Sequence, residues 1–337
     1  MNRLRGVGCL LLVLAGCGST DPPMTTFAPK SDFAEWIHSL YLQVIGWDSL
    51  IFVIVAVTTL LALFRYSTRV QAEGEAPPVS HEYLALEIAW TVGPALVLLA
   101  IAIPTVRTTF HAQPAIAPEN ALEVKVTAHQ WWWQVQYPDL EITTANEIHL
   151  PVGQPVHLRL ASDDVIHSFW VPQLGGKRDV IPGHTNAITL IPRVPGVYLG
   201  QCAEFCGLSH ANMRFRVFVD TPEQFNAWST QQTAPAAVPG RPATAATPIA
   251  AGARLYASSL CVTCHTIDGV STQRVGPDLT HFASRTTLAG GILDNTPEHL
   301  AAWLRDPPEV KPGARMPNLG LSPQEISQLV AYLESLK

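Results

Sequence analysis

The sequence predicts a multidomain protein: a two-helix transmembrane hairpin, then a small all-β domain, then an all-α domain at the carboxyl end. Three observations support this class: two long apolar segments, a stretch in which apolar residues alternate with period two, and a Pro/Ala/Thr-rich run before a final helical region. A chain of 337 residues with 47% apolar residues allows two or three domains and favours membrane attachment. The formal net charge of −6 argues against a nucleic-acid partner.

Residues 1–17 are predicted to be an export signal. Arg3 and Arg5 precede an apolar run and then small residues, as in secretory leaders. Residues 14–17, Leu-Ala-Gly-Cys, resemble a bacterial lipoprotein processing box, in which Cys17 would carry the lipid anchor. The alternative is an ordinary cleaved signal with an incidental cysteine. Both readings place the mature amino terminus outside the cytoplasm.

Residues 18–111 are predicted to form the membrane hairpin, with helices at about 40–65 and 86–107. Each apolar segment is close to the roughly 20 residues that span a bilayer. Buried core helices of a soluble domain are the alternative. Arg65 and Arg69 lie in the connecting loop, whereas Lys30 and Arg107 flank the other side, so the positive-inside bias is weak. The export signal sets the expected orientation instead, with both ends of the hairpin outside and the connecting loop inside.

Residues 112–230 are predicted to be a small antiparallel barrel or sandwich. Apolar and polar residues alternate in short runs that are separated by Pro-Gly and Gly-Gly turn signals. Such a scaffold holds ligands on its loops rigidly. The alternating runs are residues 122–126, 156–160, 187–190 and 213–217.

The loop 202–213 in this domain has the composition of a metal site. Cys202, Cys206, His210 and Met213 supply two thiols, an imidazole and a thioether at close spacing. Soft sulfur donors together with imidazole favour copper. A further strong donor has to come from elsewhere in the chain, and His167 is the best candidate.

Two other interpretations of this loop remain open. Two cysteines in an exported domain commonly form a disulfide. Two Cys and two His can also make a tetrahedral structural zinc site. Neither interpretation requires Met213, and neither accounts for Glu204 between the two thiols.

The loop and His167 together resemble the dinuclear CuA centre of subunit 2 of the haem-copper cytochrome c oxidases, which has a cupredoxin fold. In that family two bridging thiolates hold two copper ions that share one electron. The resemblance implies two bridging thiolates, two terminal imidazoles and two weak ligands, one of them a backbone carbonyl: Cys202, Cys206, His167, His210, Met213 and Glu204.

The same resemblance implies three further roles. Trp131 would be the electron-input residue above the copper site, although aromatic clusters are often core or membrane-interface anchors. Glu87 would lie at the cytoplasmic mouth of a proton path into the partner subunit, although a carboxylate there can be an interfacial anchor. The Glu204 side chain would reach a Mg²⁺ ion shared with the catalytic subunit. The neighbouring Trp132 departs from the Tyr that is common in the family.

A Pro/Ala/Thr linker at 231–249 leads to a predicted all-α domain, residues 250–337. Cys261, Cys264 and His265 form C-x-x-C-H, the attachment signature of c-type haem; a thioredoxin-like dithiol is the alternative. Met316, the only Met after His265, is the expected sixth ligand. The segment around Pro277 resembles the class I cytochrome c segment whose proline carbonyl receives the ring N–H of the proximal histidine. His281 and His299 could compete as ligands and are expected at the surface.

The resemblance covers nearly all of the mature chain and is to caa-type oxidases, in which a cytochrome c is fused to subunit 2. It implies the electron-input subunit of a proton-pumping oxidase in the bacterial inner membrane, with both extramembrane domains on the periplasmic side. Electrons would come from soluble cytochrome c or a similar donor, pass through haem c to CuA, and leave for the haem of subunit 1, where O2 is reduced to water. Subunit 1, subunit 3 and membrane lipid are the expected partners.

Three other functions compete with this one. A CuA-containing nitric oxide reductase subunit would share the copper loop and the cytochrome. A quinol oxidase subunit would have lost the copper ligands. A non-enzymatic periplasmic copper carrier would need neither a haem nor a membrane helix that begins at Glu87.

Overall fold

The structure of the protein is a computed structural model that describes residues 23–66, 83–112, 117–235 and 247–337. The predicted export signal with Cys17 lies outside the described residues, as does most of the predicted linker.

Two long helices begin the described chain, α1 (Asp32–Tyr66) and α2 (Leu84–His111). At 35 and 28 residues they are longer than the predicted spans, and a rise of about 1.5 Å per residue lets each cross a hydrocarbon layer of about 30 Å. Their most apolar windows are 0% buried against the described protein. They are therefore not core helices of a soluble domain, and their exposed apolar side chains fit a lipid environment.

The first turn of α1 packs on the β domain, which explains why this helix begins before its apolar segment. The Ser31 hydroxyl donates to the Leu174 carbonyl (2.6 Å), and the Ile191 N–H donates to the Asp32 carboxylate (2.7 Å). Phe33 lies flat on Gly175, where a Cβ would stand 2.4 Å from the ring. Helix and β domain thus have a fixed junction.

The β domain is a sandwich of two five-stranded sheets, ordered β3-β2-β1-β5-β8 and β4-β10-β9-β6-β7. Most strand pairs are antiparallel, but β1–β5 and β4–β10 are parallel, so the predicted all-antiparallel pairing was wrong for these two pairs. The strands are β1 Leu122–His129, β2 Trp132–Tyr137, β3 Ile142–Ala145, β4 Glu147–Pro151, β5 Val156–Ser162, β6 His167–Trp170, β7 Arg178–Val180, β8 Asn186–Leu190, β9 Gly196–Cys202 and β10 Arg214–Asp220.

An aromatic cluster fills the sandwich core beneath the loop 202–213, which is the predicted copper site and is called the copper loop below. Trp133 is fully buried and packs edge-on against Phe169 and Phe215, with ring centroids 5.7 and 5.3 Å apart. Gly200 admits this cluster, because a Cβ there would stand 2.3 Å from the Phe215 ring. After β10, helix α3 (Pro222–Thr233) begins with a capping box between Thr221 and Gln224.

The carboxyl-terminal domain is helical, with two short hairpins added. Its first and last helices cross closely, because at Gly252 a Cβ would stand 2.0 Å from the Gln328 carbonyl oxygen. The last helix begins at a capping box between Ser322 and Glu325. The elements are α4 Pro248–Ser258, β11 Thr266–Ile267, β12 Ser271–Thr272, β13 Thr287–Leu288, β14 Leu293–Asp294, α5 Pro297–Arg305, α6 Pro307–Val310 and α7 Pro323–Leu333.

Candidate functional site

Strand pairing brings His167 to the copper loop. The loop connects the end of β9 at Cys202 to the start of β10, and it contains a short 3-10 helix, His210–Asn212. His167 is the first residue of β6, which pairs with β9 in the register Phe169 opposite Cys202. His167 and Cys202, 35 positions apart in sequence, thus meet at one end of this sheet, where β9 ends and β6 begins.

Within the described chain, the side chains of five predicted copper ligands converge at this end of the sheet. The Cys202 and Cys206 sulfurs lie 3.8 Å apart, which is far beyond a disulfide bond length. All four cysteines in the described part of the chain are free. The remaining contacts are Cys202 Sγ to His167 Nδ1 at 3.9 Å, Cys206 Sγ to His210 Nδ1 at 3.6 Å, Cys206 Sγ to Met213 Sδ at 3.9 Å and Cys202 Sγ to the Glu204 carbonyl oxygen at 3.2 Å.

The donors form two neighbouring groups rather than one tetrahedral set. His167, Cys202 and Cys206 have donor atoms within 4.8 Å of one another, and all three are buried. His210 lies outside that group, and its Nδ1 contacts the sulfur of Cys206 rather than that of Cys202. One imidazole beside each of two adjacent thiols fits a pair of soft metal ions that share the sulfurs. It fits a single closed zinc site less well.

Asp164 orients His167, and sequence reasoning did not identify it. Its carboxylate lies 2.8 Å from His167 Nε2, which leaves Nδ1 directed at Cys202. Burial alone would raise the pKa of Asp164, but hydrogen bonds from His167 and from the Gln130 and Val165 N–H groups lower it. A carboxylate three residues before a predicted histidine ligand was the available sequence signal.

The two thiols share protons unequally. A hydrogen bond from the Cys206 thiol lowers the pKa of Cys202, although burial alone would raise it. The Cys202 thiolate, together with burial, raises the pKa of Cys206. Burial alone would lower the pKa of His167, but its contacts with Cys202 and Asp164 raise it. These shifts favour the thiolate form of Cys202 and the protonated form of Cys206.

Trp131 lies directly above the loop. Its indole N–H donates to the Cys206 carbonyl (3.0 Å), and the Gln130 side-chain amide donates to the same oxygen (2.7 Å). Only 9% of Trp131 is exposed. Gln130 was not identified from the sequence, where it is one polar residue beside three tryptophans.

Glu204 and Glu87 lie apart from this cluster. The Glu204 side chain points outward and approaches Lys177 at 3.7 Å, while its carbonyl faces Cys202. Glu87 is in the first turn of α2, at the end of the helix nearest the connection between α1 and α2.

The predicted haem ligands line one cavity of about 320 Å³, which is in the usual size range for cofactor sites. Cys261, Cys264, His265 and Met316 all face this space, here called the haem cavity. His265 Nδ1 contacts the Pro277 carbonyl at 2.8 Å, which leaves Nε2 available for iron. At Gly276 a Cβ would stand 2.6 Å from the His265 ring, so glycine is required for this close approach. The residues present fit a covalently attached haem.

Both extramembrane domains contribute to the haem cavity. His129, Gln130, Trp131, Trp132 and Asn146 of the β domain line the side that faces the copper loop. Trp131 therefore lines the haem cavity and also contacts the copper loop through its indole N–H.

The competing histidines do not line this cavity. His281 is 5% exposed, so its expected surface position was wrong: it is buried beside Phe282, which belongs to the domain core. His299 is partly exposed and contacts the Asp294 carbonyl at 2.9 Å.

Comparison with known proteins assigns the family. Residues 27–108 match "Cytochrome C oxidase subunit II, transmembrane domain", residues 140–220 match "Cytochrome C oxidase subunit II, periplasmic domain", and residues 249–337 match "Cytochrome c". Cytochrome c oxidase subunit 2 of Alkalihalophilus pseudofirmus is 37% identical over 341 residues, covering 100% of this chain and 97% of the relative.

Two further relatives match different lengths of the chain. Cytochrome c oxidase subunit 2 of Bacillus sp. strain PS3 is 35% identical and covers 98% of this chain and 96% of its own length. Quinol oxidase subunit 2 of Bacillus cereus is 34% identical but covers only 67% of this chain and 78% of its own length. The similarity that extends over the whole chain is thus to cytochrome c oxidase subunits. The chain belongs to the cytochrome c oxidase subunit 2 family, in the form that ends in a cytochrome c domain.

Proposed function

We propose that this chain receives electrons at its cytochrome c domain, relays them past Trp131 to the copper loop, and delivers them to subunit 1 of the oxidase. Membership of the family makes the chain a membrane-bound component of an oxidase complex, with a periplasmic domain and with subunit 1 as a partner. Its domains imply haem c and CuA as cofactors. The order of transfer and the residue roles below are our inference.

The observation that carries the proposal is that Trp131 contacts both sites. Its indole donates to the Cys206 carbonyl of the copper loop, and Trp131 is also one of the residues that line the haem cavity. When bound, haem c and the copper pair supply two one-electron carriers with little change in geometry between redox states. The protein would supply their spacing through the largely buried Trp131, which contacts both sites.

We assign the copper site to the residues that converge where β9 ends and β6 begins. We assign the haem site to residues that line the haem cavity. Asp164 holds His167 in the tautomer that leaves Nδ1 for metal. The proposed ligands of copper are His167, Cys202, Cys206, His210, Met213 and the Glu204 carbonyl; those of haem are Cys261, Cys264, His265 and Met316.

The remaining proposals concern the membrane side and processing. Glu204, whose side chain is exposed beside Lys177, is proposed to share a Mg²⁺ ion with subunit 1. Glu87 is proposed to open a proton path into that subunit. We retain residues 1–17 as a cleaved signal, with Cys17 as the lipid-anchor candidate. The predicted tether at 231–249 is retained between the end of α3 at Thr233 and the start of α4 at Pro248. Subunit 3 and a soluble cytochrome c donor complete the proposed partners.

Electron paramagnetic resonance and absorption spectra of the purified full-length chain test the proposal. We expect a mixed-valence signal with hyperfine coupling to two equivalent copper nuclei, together with a c-type haem band. A chain that contained zinc and no copper would contradict it. Turnover of the assembled complex with O2 and with NO separates the oxidase from the nitric oxide reductase alternative.

A further inference from the structure

The cytochrome domain contacts the β domain on the face that carries Trp131. The turn between β13 and β14 lies against the start of β10, where the Arg214 N–H donates to the Gly290 carbonyl (2.9 Å). At Gly291 a Cβ would stand 2.9 Å from the Arg214 carbonyl oxygen, and this glycine has φ of +78°. The contact is thus backbone against backbone, and it leaves no space for a side chain at Gly291.

A buried carboxylate joins the two domains at this turn. Glu147, on edge strand β4, is 3% exposed. Its Oε1 accepts hydrogen bonds from the Thr286 and Thr287 N–H groups (2.9 and 2.8 Å) and from their hydroxyls (2.7 and 2.8 Å). A buried carboxylate is stable where such donors replace water. All four donors come from the other domain, so docking is the state that satisfies Glu147.

A buried lysine makes the second connection, directly on the backbone of Trp131. Lys311 of the cytochrome domain is 3% exposed, and its Nζ donates to the Trp131 carbonyl (2.6 Å) and to the Ala289 carbonyl (2.9 Å). Burial lowers the pKa of Lys311 to about 7, but the amine has at least two N–H donors in either protonation state.

The segment that follows Lys311 continues along the indole toward the haem cavity. Two residues later, Gly313 (φ of +83°) lies where a Cβ would stand 3.1 Å from the Trp131 ring. This segment leads to Met316, the proposed iron ligand. Lys311 therefore ties the haem-bearing polypeptide to the proposed electron-input residue.

We propose that Glu147 and Lys311 are positioning residues that hold the cytochrome domain in one orientation on Trp131, so that haem-to-copper electron transfer needs no separate encounter. This inference rests on the proposed function and adds to it. A tether alone would make the transfer depend on repeated encounters at an effective concentration set by the linker. Two buried polar contacts, together with the backbone contact at the turn, instead fix both distance and orientation.

The test uses the full-length chain in the assembled oxidase and measures the rate of haem c to CuA electron transfer at increasing solvent viscosity. In the unsubstituted protein we expect no viscosity dependence. In Glu147→Ala and Lys311→Met we expect the rate to fall at least about tenfold, because small displacements of reacting groups are costly, and to become viscosity-dependent. Glu147→Gln keeps one acceptor oxygen and should lie between.

Exposed residues of the same charge serve as controls. Glu119→Ala and Lys125→Met remove a carboxylate and an ammonium from exposed positions of the β domain and should leave the rate unchanged. Hydrogen exchange at the Arg214 amide gives a second measurement, since this N–H bonds to Gly290 only when the domains are docked. It should exchange faster in Glu147→Ala and Lys311→Met, here called the clasp variants, and not in the controls.

The outcomes separate this inference from the proposed function. A viscosity-dependent rate in the unsubstituted protein, or unchanged rates and Arg214 protection in both clasp variants, overturns the positioning role. Copper and haem c spectra recorded on the same samples address the proposed function: if either cofactor is missing from the unsubstituted protein, the proposed function fails instead.

Discussion

Each thiol of the copper loop has its own imidazole neighbour, His167 for Cys202 and His210 for Cys206. In the proposed dinuclear copper site both sulfurs would be ligands, so the loss of either one would remove a ligand that both copper ions need. A serine hydroxyl keeps its proton at neutral pH and binds copper weakly. The pair of thiols is therefore the part of the site least tolerant of substitution.

Replacing Cys202 or Cys206 with serine should abolish the mixed-valence copper signal and stop electron flow from haem c to oxygen in the assembled complex. The c-type haem band in the same samples is the internal control, since Cys261 and Cys264 belong to another domain. Retained flow from haem c to oxygen in either variant would show that the loop does not carry the electrons.

Copper loading of the metal-free chain should depend on pH. The neighbouring thiolate raises the pKa of Cys206, so below that pKa a proton occupies a proposed ligand and must leave when copper binds. The affinity for copper should rise about tenfold per pH unit between pH 6 and 8 for each displaced proton. Competition titrations against a chelator of known pH dependence measure it, and a flat affinity would mean that Cys206 is not a ligand.

Local spacing explains which residues could be predicted from the sequence. Cys202, Cys206, His210 and Met213 lie in one short loop, so their convergence follows from proximity in the chain. Glu147 finds its donors 139 and 140 residues away, and Lys311 finds Trp131 180 residues away. No periodicity or motif encodes contacts of that range, which form only when two domains dock.

At the scale of elements, the sandwich shows what alternation along a strand leaves undetermined. Period-two patterns indicated where strands lie, but they carry no information on partner direction. β1 pairs in parallel with β5, and β10 pairs in parallel with β4. The two strands of each pair are not consecutive in the sequence, so no hairpin turn sets their relative direction. The parallel pair at the edge exposes β4, and with it Glu147, to the cytochrome domain.

The crossing of α4 and α7 should be sensitive to volume at Gly252. A Cβ there would stand 2.0 Å from the Gln328 carbonyl oxygen and 2.8 Å from Tyr332 Cβ. Gly252→Ala should lower the free energy of unfolding of the cytochrome domain by about 1 to 3 kcal/mol, because the helices must separate. Ser258→Ala, at an exposed position of the same helix, should change it by less than about 0.5 kcal/mol. Thermal unfolding followed by the haem band compares them, and equal stabilities would contradict this packing.

At the scale of the whole molecule, Trp131 contacts both the copper loop and the haem cavity, and buried polar contacts join the two domains beside it. Trp131 is 9% exposed, so the docked cytochrome domain leaves little of it accessible to an external donor. A soluble donor should therefore reduce haem c first. We therefore expect the fused domain to be the obligatory donor to the copper loop rather than an additional one.

The direct measurement of this claim is single-turnover reduction of the oxidised complex by reduced soluble cytochrome c, with the haem c and CuA absorption bands recorded separately. We expect haem c to be reduced before CuA. In a Cys261→Ser/Cys264→Ser variant without haem c, we expect CuA reduction by the same donor to slow by at least about tenfold. Reduction of CuA at an undiminished rate in that variant would contradict the account.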